Sequence, residues 1–233
     1  MSVEAFADAE SLAHGVARRL TERLVQLQAQ GRTPSMVLTG GTIGVEIYKA
    51  ISANGVDWTD VEFYWGDERF VPEGDADRND QQARDAFLTR LEVPAAHIHA
   101  MPAHDCALGA REAADDYARK LPTAPFDLVL LGMGPDGHIA SLFPGFAQLH
   151  ETVRKVVEVF DSPKPPPVRV SLTMPTLNHA DSVWFLVSGT GKADAVSRAL
   201  GTGTLVDTPA TGVRGGHETL WLLDEAAASK LDR

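Results

Sequence analysis

The runs Leu128-Val129-Leu130-Leu131 and Val183-Trp184-Phe185-Leu186-Val187 are apolar at every position, not at every second one. A short strand tolerates that only when both of its faces are buried, which is the condition inside a parallel sheet. Further strand-like runs occur at "SMVLTGG", "DVEFYWGDERF", "VRVSLT" and "HETLWLLD". Helical patterns lie between them. Leu12, Val16, Leu20, Leu24 and Leu27 recur at spacings of four and three, ending at Gly31. Residues 42–51, 79–91, 108–121 and 192–200 read as further helices, and "EAAASKL" as a last short one. Strands alternating with helices imply an α/β fold: an open, mostly parallel sheet with helices on both faces.

The length of 233 residues suits one domain spanning 1–233, and no composition shift marks a boundary. The proline-rich stretch "DSPKPPPVR", residues 161–169, reads as a stiff surface crossover. A net charge of −11 argues against nucleic acid as a partner, since that requires a basic surface. An anionic small molecule would need local cations to overcome this field. The single cysteine, Cys106, excludes a disulfide within the chain and a cysteine-based zinc site. The first ten residues carry acids where a signal peptide carries cations. No run approaches the ~18 apolar residues of a membrane span. The expected location is therefore cytoplasmic, with no membrane partner. A monomer is the default, with a homodimer left open.

Ligands of open parallel sheets bind beyond the carboxyl ends of the strands. Four strands here end in glycine followed by reactive groups: Gly40-Gly41-Thr42, Gly66-Asp67-Glu68-Arg69, Pro135-Asp136-Gly137-His138 and Thr190-Gly191-Lys192. Parallel strands would bring all four to one edge. Each cluster also has a plain structural reading. The glycine pair serves equally as a tight turn or as a phosphate cradle, in which backbone N–H groups and a helix N-terminus face the anion. It lacks the Gly-Lys-Ser/Thr of a P-loop. Lys192 at a helix start is unfavourable for the helix dipole unless an anion sits there. His138 alone would more often be structural, but Asp136 two residues away is placed to fix its tautomer and raise its basicity. No second histidine stands at ligand spacing, which speaks against a metal.

"LVLLGMGPDGHIASLFPG", "WGDERFVP" with "DRND", and "PPPVRVSLTMPTLNHADSVWFLVSGTGKADAV" resemble, in order, three motifs of the 6-phosphogluconolactonases. With "TGGT" near the start, the resemblance covers residues 36–200. The first loop departs from the usual Gly-Gly-Ser/Thr-x-Pro, reading Gly41-Thr42-Ile43-Gly44 without the proline. The resemblance implies a Rossmann-like fold shared with glucosamine-6-phosphate deaminases, no metal or organic cofactor, and hydrolysis of 6-phosphoglucono-δ-lactone to 6-phosphogluconate. It places Asp136, His138 and Asp67 in the sugar site and a basic residue at Arg169.

For that reaction His138 is the expected general base, oriented by Asp136. An imidazole at its reference pKa of ~6.5 is largely neutral near pH 7. Arg69 is the candidate for stabilising the oxyanion. The phosphate falls to Gly40, Gly41 and Thr42 with Lys192 and Arg169. Asp67 positions either substrate hydroxyls or the water. Ser141 as a nucleophile is disfavoured, because "DGHIAS" is no nucleophile elbow. Two rivals share the fold. An amino-sugar-phosphate isomerase/deaminase would continue after the histidine into Asn-Glu-Pro, where this chain has "IASLFPG". A non-catalytic sugar-phosphate sensor would not need the Asp136–His138 pair.

Overall fold

The computed structural model describes residues 1–231; residues 232 and 233, included in the single expected domain, lie outside the described residues. The continuous apolar runs form a six-stranded sheet. Its strands are β1 (Ser2–Phe6), β2 (Ser35–Leu38), β3 (Glu62–Trp65), β5 (Phe126–Leu131), β8 (Ala180–Val187) and β9 (Glu218–Asp224). The spatial order is β1-β9-β8-β5-β2-β3, and every neighbouring pair is parallel. All six residues of β5 are buried, as its unbroken pattern requires. The one charge in that run, Asp127, bolts two strand starts together. Its Oδ2 accepts from the Ser35 N–H at 2.8 Å and the Ser35 hydroxyl at 3.1 Å, and it pairs with Arg32.

The helices are α1 (Ala9–Ala29), α2 (Thr42–Ala50), α3 (Asn79–Ala83), α4 (Ala110–Lys120), α5 (Met174–Leu177) and α6 (Ala193–Leu200). The periodic leucines of α1 are all buried, and α1 packs on α2 and β9. The expected helix over 79–91 is split: α3 widens into a π-helical turn at Arg84–Leu88. Among the described residues no helix is long and apolar enough to cross a membrane.

A second, three-stranded antiparallel sheet was not expected. It consists of β4 (Asp67–Arg69), β7 (Arg169–Leu172) and β6 (Val156–Val159), in the order β4-β7-β6. "DVEFYWGDERF" is therefore two strands, not one strand and a charged loop. Gly66 is the pivot. Its N–H donates to Leu38 of β2 at 3.0 Å, while its carbonyl accepts from Leu172 of β7 at 2.8 Å. "VRVSLT" belongs to this second sheet, not to the parallel one. The edge strands β1 and β6 are short and mixed in polarity, so their sequence carries little signal. "EAAASKL" is a turn rather than a helix. Asp224 accepts from the Ala227 N–H at 2.7 Å and also binds Ser188 and Gly189 at the exit of β8. A segment of seven residues does not sustain a helix on its own, and the Asp224 contacts hold it as a turn.

The chain runs outward from β2 to β3, then restarts at β5 on the other side of β2 and moves through β8 to β9. The sheet thus changes direction between β2 and β5. That switch point opens a crevice at the carboxyl ends of the strands.

Candidate active site

A cleft of about 530 Å³ occupies this crevice. All four glycine-marked turns reach it. Gly40, Gly41, Thr42, Asp67, Arg69, His138, Arg169 and Lys192 line its wall. Asp136, the remaining residue expected there, stands behind His138.

The loop after β2 is rigidly seated. The buried Tyr48 hydroxyl donates to the Thr39 carbonyl at 2.8 Å and accepts from the Thr39 N–H at 2.9 Å. Gly41 then caps α2 with φ +87° and offers no side-chain cap. The first N–H groups of α2 are left without that partner, which suits an anion.

The loop after β5 carries the acid–base pair. His138 Nδ1 lies 2.5 Å from Asp136 Oδ1, and the His138 N–H also donates to that oxygen at 3.3 Å. Burial alone would raise the Asp136 carboxyl. The hydrogen bond and charge of His138 outweigh it and hold Asp136 well below the usual carboxylate range. With Nδ1 engaged, Nε2 has no protein partner among the described residues. Phe143 packs against the imidazole at a centroid distance of 4.6 Å. The close approach depends on Gly134, because a Cβ there would stand 2.1 Å from His138 Nδ1 and Cε1. This explains the glycine density of "GMGPDGH": the dyad folds back over the turn that carries it.

The second sheet supplies the opposing wall from within its strands. Asp67 and Arg69 are two apart on β4 and face the cleft, while Glu68 points the other way. Asp67 pairs in register with Ser171, and Arg69 with Arg169. Two arginines therefore sit directly opposite each other, an arrangement unfavourable without a counter-anion. Asp67 Oδ2 accepts from the Ser141 hydroxyl at 2.6 Å and lies 4.0 Å from Arg169 Nη1. Ser141 is fully buried and acts as a donor to Asp67, which leaves it no role as a nucleophile. Glu68 accepts from the N–H groups of Arg69, Asn79 and Asp80 at 2.8, 2.7 and 2.9 Å. Burial pushes its carboxyl up; Arg78 and the Asn79 and Asp80 N–H groups pull the other way.

After β8, Lys192 Nζ donates to the Met133 carbonyl at 2.7 Å. Burial pushes this ammonium below the usual lysine range, and the charge of Lys164 adds to that, opposed by Asp136.

Sequence reasoning missed three residues. Asn79 lines the cleft and donates to the Asp67 carbonyl at 2.8 Å; its signal was the "DRND" segment, to which no role attached. Gly134 was noted only as a glycine. Lys164 lines the cleft because the proline-rich segment, read as a surface crossover, runs along its wall, which that reading did not anticipate.

A doubly flanked parallel sheet with a carboxylate-backed imidazole facing a ring of cations defines an enzyme for acid–base chemistry on an anionic substrate. The chain belongs to the glucosamine-6-phosphate isomerase/6-phosphogluconolactonase family, whose model matches residues 7–221. It is 42% identical to the 6-phosphogluconolactonase of Mycobacterium leprae, covering 99% of this chain and 98% of that one. It is 44% identical to the 6-phosphogluconolactonase of Streptomyces coelicolor, covering 97% and 93% respectively. The structure of the Trypanosoma brucei 6-phosphogluconolactonase superposes with a TM-score of 0.87 at 27% identity, covering 99% of this chain and 98% of that one.

Proposed function

We propose that this cleft hydrolyses 6-phosphoglucono-δ-lactone to 6-phosphogluconate, the second step of the oxidative pentose phosphate pathway. The observation that carries the reading is His138: Nδ1 is held by Asp136 at 2.5 Å while the ring opens onto a cleft lined by Arg69, Arg169 and Lys192. Neutral His138, its Nδ1–H donating to the Asp136 carboxylate, takes a proton from water through Nε2. The water oxygen adds to the lactone carbonyl, and Arg69 faces the negative charge that develops there. Collapse breaks the bond to the ring oxygen, which leaves with the proton held by His138. Asp136, held below the usual carboxylate range, stays an anion and stabilises the imidazolium between the two transfers. Asp67, fixed by Ser141, positions substrate hydroxyls or water. The Gly40-Gly41-Thr42 turn and Lys192 receive the phosphate; Arg169, the other basic residue expected to, lines the same cleft.

The test couples freshly prepared 6-phosphogluconolactone to 6-phosphogluconate dehydrogenase, with glucosamine 6-phosphate as the control substrate. Turnover of the lactone and none of the amino sugar is expected. Deamination of the control would move the chain to the isomerase branch of its family.

A further inference from the structure

The arginine expected to grip the phosphate has most of its donors committed elsewhere. Arg169 is 5% exposed. Its Nε donates to the Pro166 carbonyl at 2.8 Å, and its Nη2 donates to the carbonyls of Lys164 and Pro165, each at 3.0 Å. Only Nη1 remains, turned toward Asp67. One guanidinium thus gathers three successive carbonyls of the 161–168 loop and fixes how that loop crosses the cleft. Ser162 adds to the fold of the loop, donating to the Lys164 carbonyl at 2.9 Å.

The residue this clamp presents is Lys164. It lines the cleft, and among the described residues its ammonium has neither an ion pair nor a hydrogen-bond acceptor. Its charge reaches both Lys192 and Asp136. Two ammonium groups sharing one cleft repel each other, Asp136 offsets only part of this, and a dianion between them reverses the sign.

We infer that Lys164 is a phosphate ligand of this cleft, acting with Lys192, and that Arg169 is the positioning residue that sets it there through the loop carbonyls. The inference deepens the lactonase reading and rests on it for the identity of the sugar. The anion site itself is tested without turnover. Titration calorimetry of the full chain with inorganic phosphate and with 6-phosphogluconate gives wild-type affinities. Lys164→Ala is expected to weaken both by about 10- to 100-fold, the usual value of a charge-assisted contact. Lys164→Arg recovers most of the loss. The preference in kcat/KM for the phosphorylated over the unphosphorylated lactone falls in the same proportion. Unchanged phosphate affinity in Lys164→Ala overturns the assignment. Arg169→Lys keeps the charge but loses the three-carbonyl fork. It is expected to weaken phosphate binding alone, and to add less than twofold in the Lys164→Ala background. Full additivity would show that Arg169 meets the phosphate itself, and would overturn the positioning role. A wild type that binds 6-phosphogluconate through Lys164 yet hydrolyses no lactone would sink the reaction and leave the anion site standing.

Discussion

The two sheets meet at Gly66 and hold their halves of the cleft by different means. The parallel sheet delivers its groups on turns that follow the strands, and backbone shape fixes them: Gly41 at φ +87°, Gly134 beneath the imidazole, Tyr48 bonded to both polar groups of Thr39. The antiparallel sheet delivers Asp67, Arg69 and Arg169 from inside β4 and β7. There buried charges do the fixing, with Glu68 receiving three backbone N–H groups behind the strand. One half is therefore sensitive to small steric changes that leave stability alone. The other is sensitive to the loss of a single charge, with stability as the first casualty.

Four substitutions sharpen or break this contrast. The largest effect belongs to His138→Ala, with kcat expected to fall about 10²–10⁴-fold in the coupled assay and KM staying near wild type. A raised KM at unchanged kcat would make His138 a binding residue. Gly134→Ala comes next. Its new methyl group displaces the imidazole, and misplacement on the ångström scale costs ~10²-fold in kcat. The melting temperature should move little; a large drop would erase the distinction between the halves.

On the other side, Glu68→Gln sets an amide donor against the Asp80 N–H. A loss of about 2–3 kcal/mol is expected, read as a lower melting temperature at ~2–4 °C per kcal/mol for a chain of this size. Residual kcat at low temperature should survive; full stability with lost activity would reverse the assignment. The smallest effect is expected for Gly41→Ala. No atom lies within 4 Å of the added Cβ, so only the backbone resists it: φ +87° with ψ 164° is a region essentially reserved for glycine, at a cost of about 1–3 kcal/mol. Its readout is a modest rise in KM.

Much of the parallel-sheet wall of the cleft was legible because strand-to-turn patterns are local. The run ending in "GMGPDGH" announces a buried strand and a glycine turn with a dyad, and β5 with His138 and Asp136 bears this out. The antiparallel sheet was not legible. β4 is three residues of charge, Asp-Glu-Arg, and nothing local distinguishes it from a turn. Its partner β7 lies about a hundred residues away, and only that pairing sets Arg69 against Arg169. Lys164 was hidden for the same reason: prolines signal stiffness, not the direction of the chain.

The amino-acid sequence on its own determined the parallel α/β class and the four turns at one sheet edge. Burial on both faces and the conformations glycine allows act over a few neighbouring residues. The tertiary structure decided which wall each cation joins and what holds it there. The partners of Glu68, Arg169 and Lys164 come from distant segments, and the order of strands in space, not the order in the chain, brings them within reach.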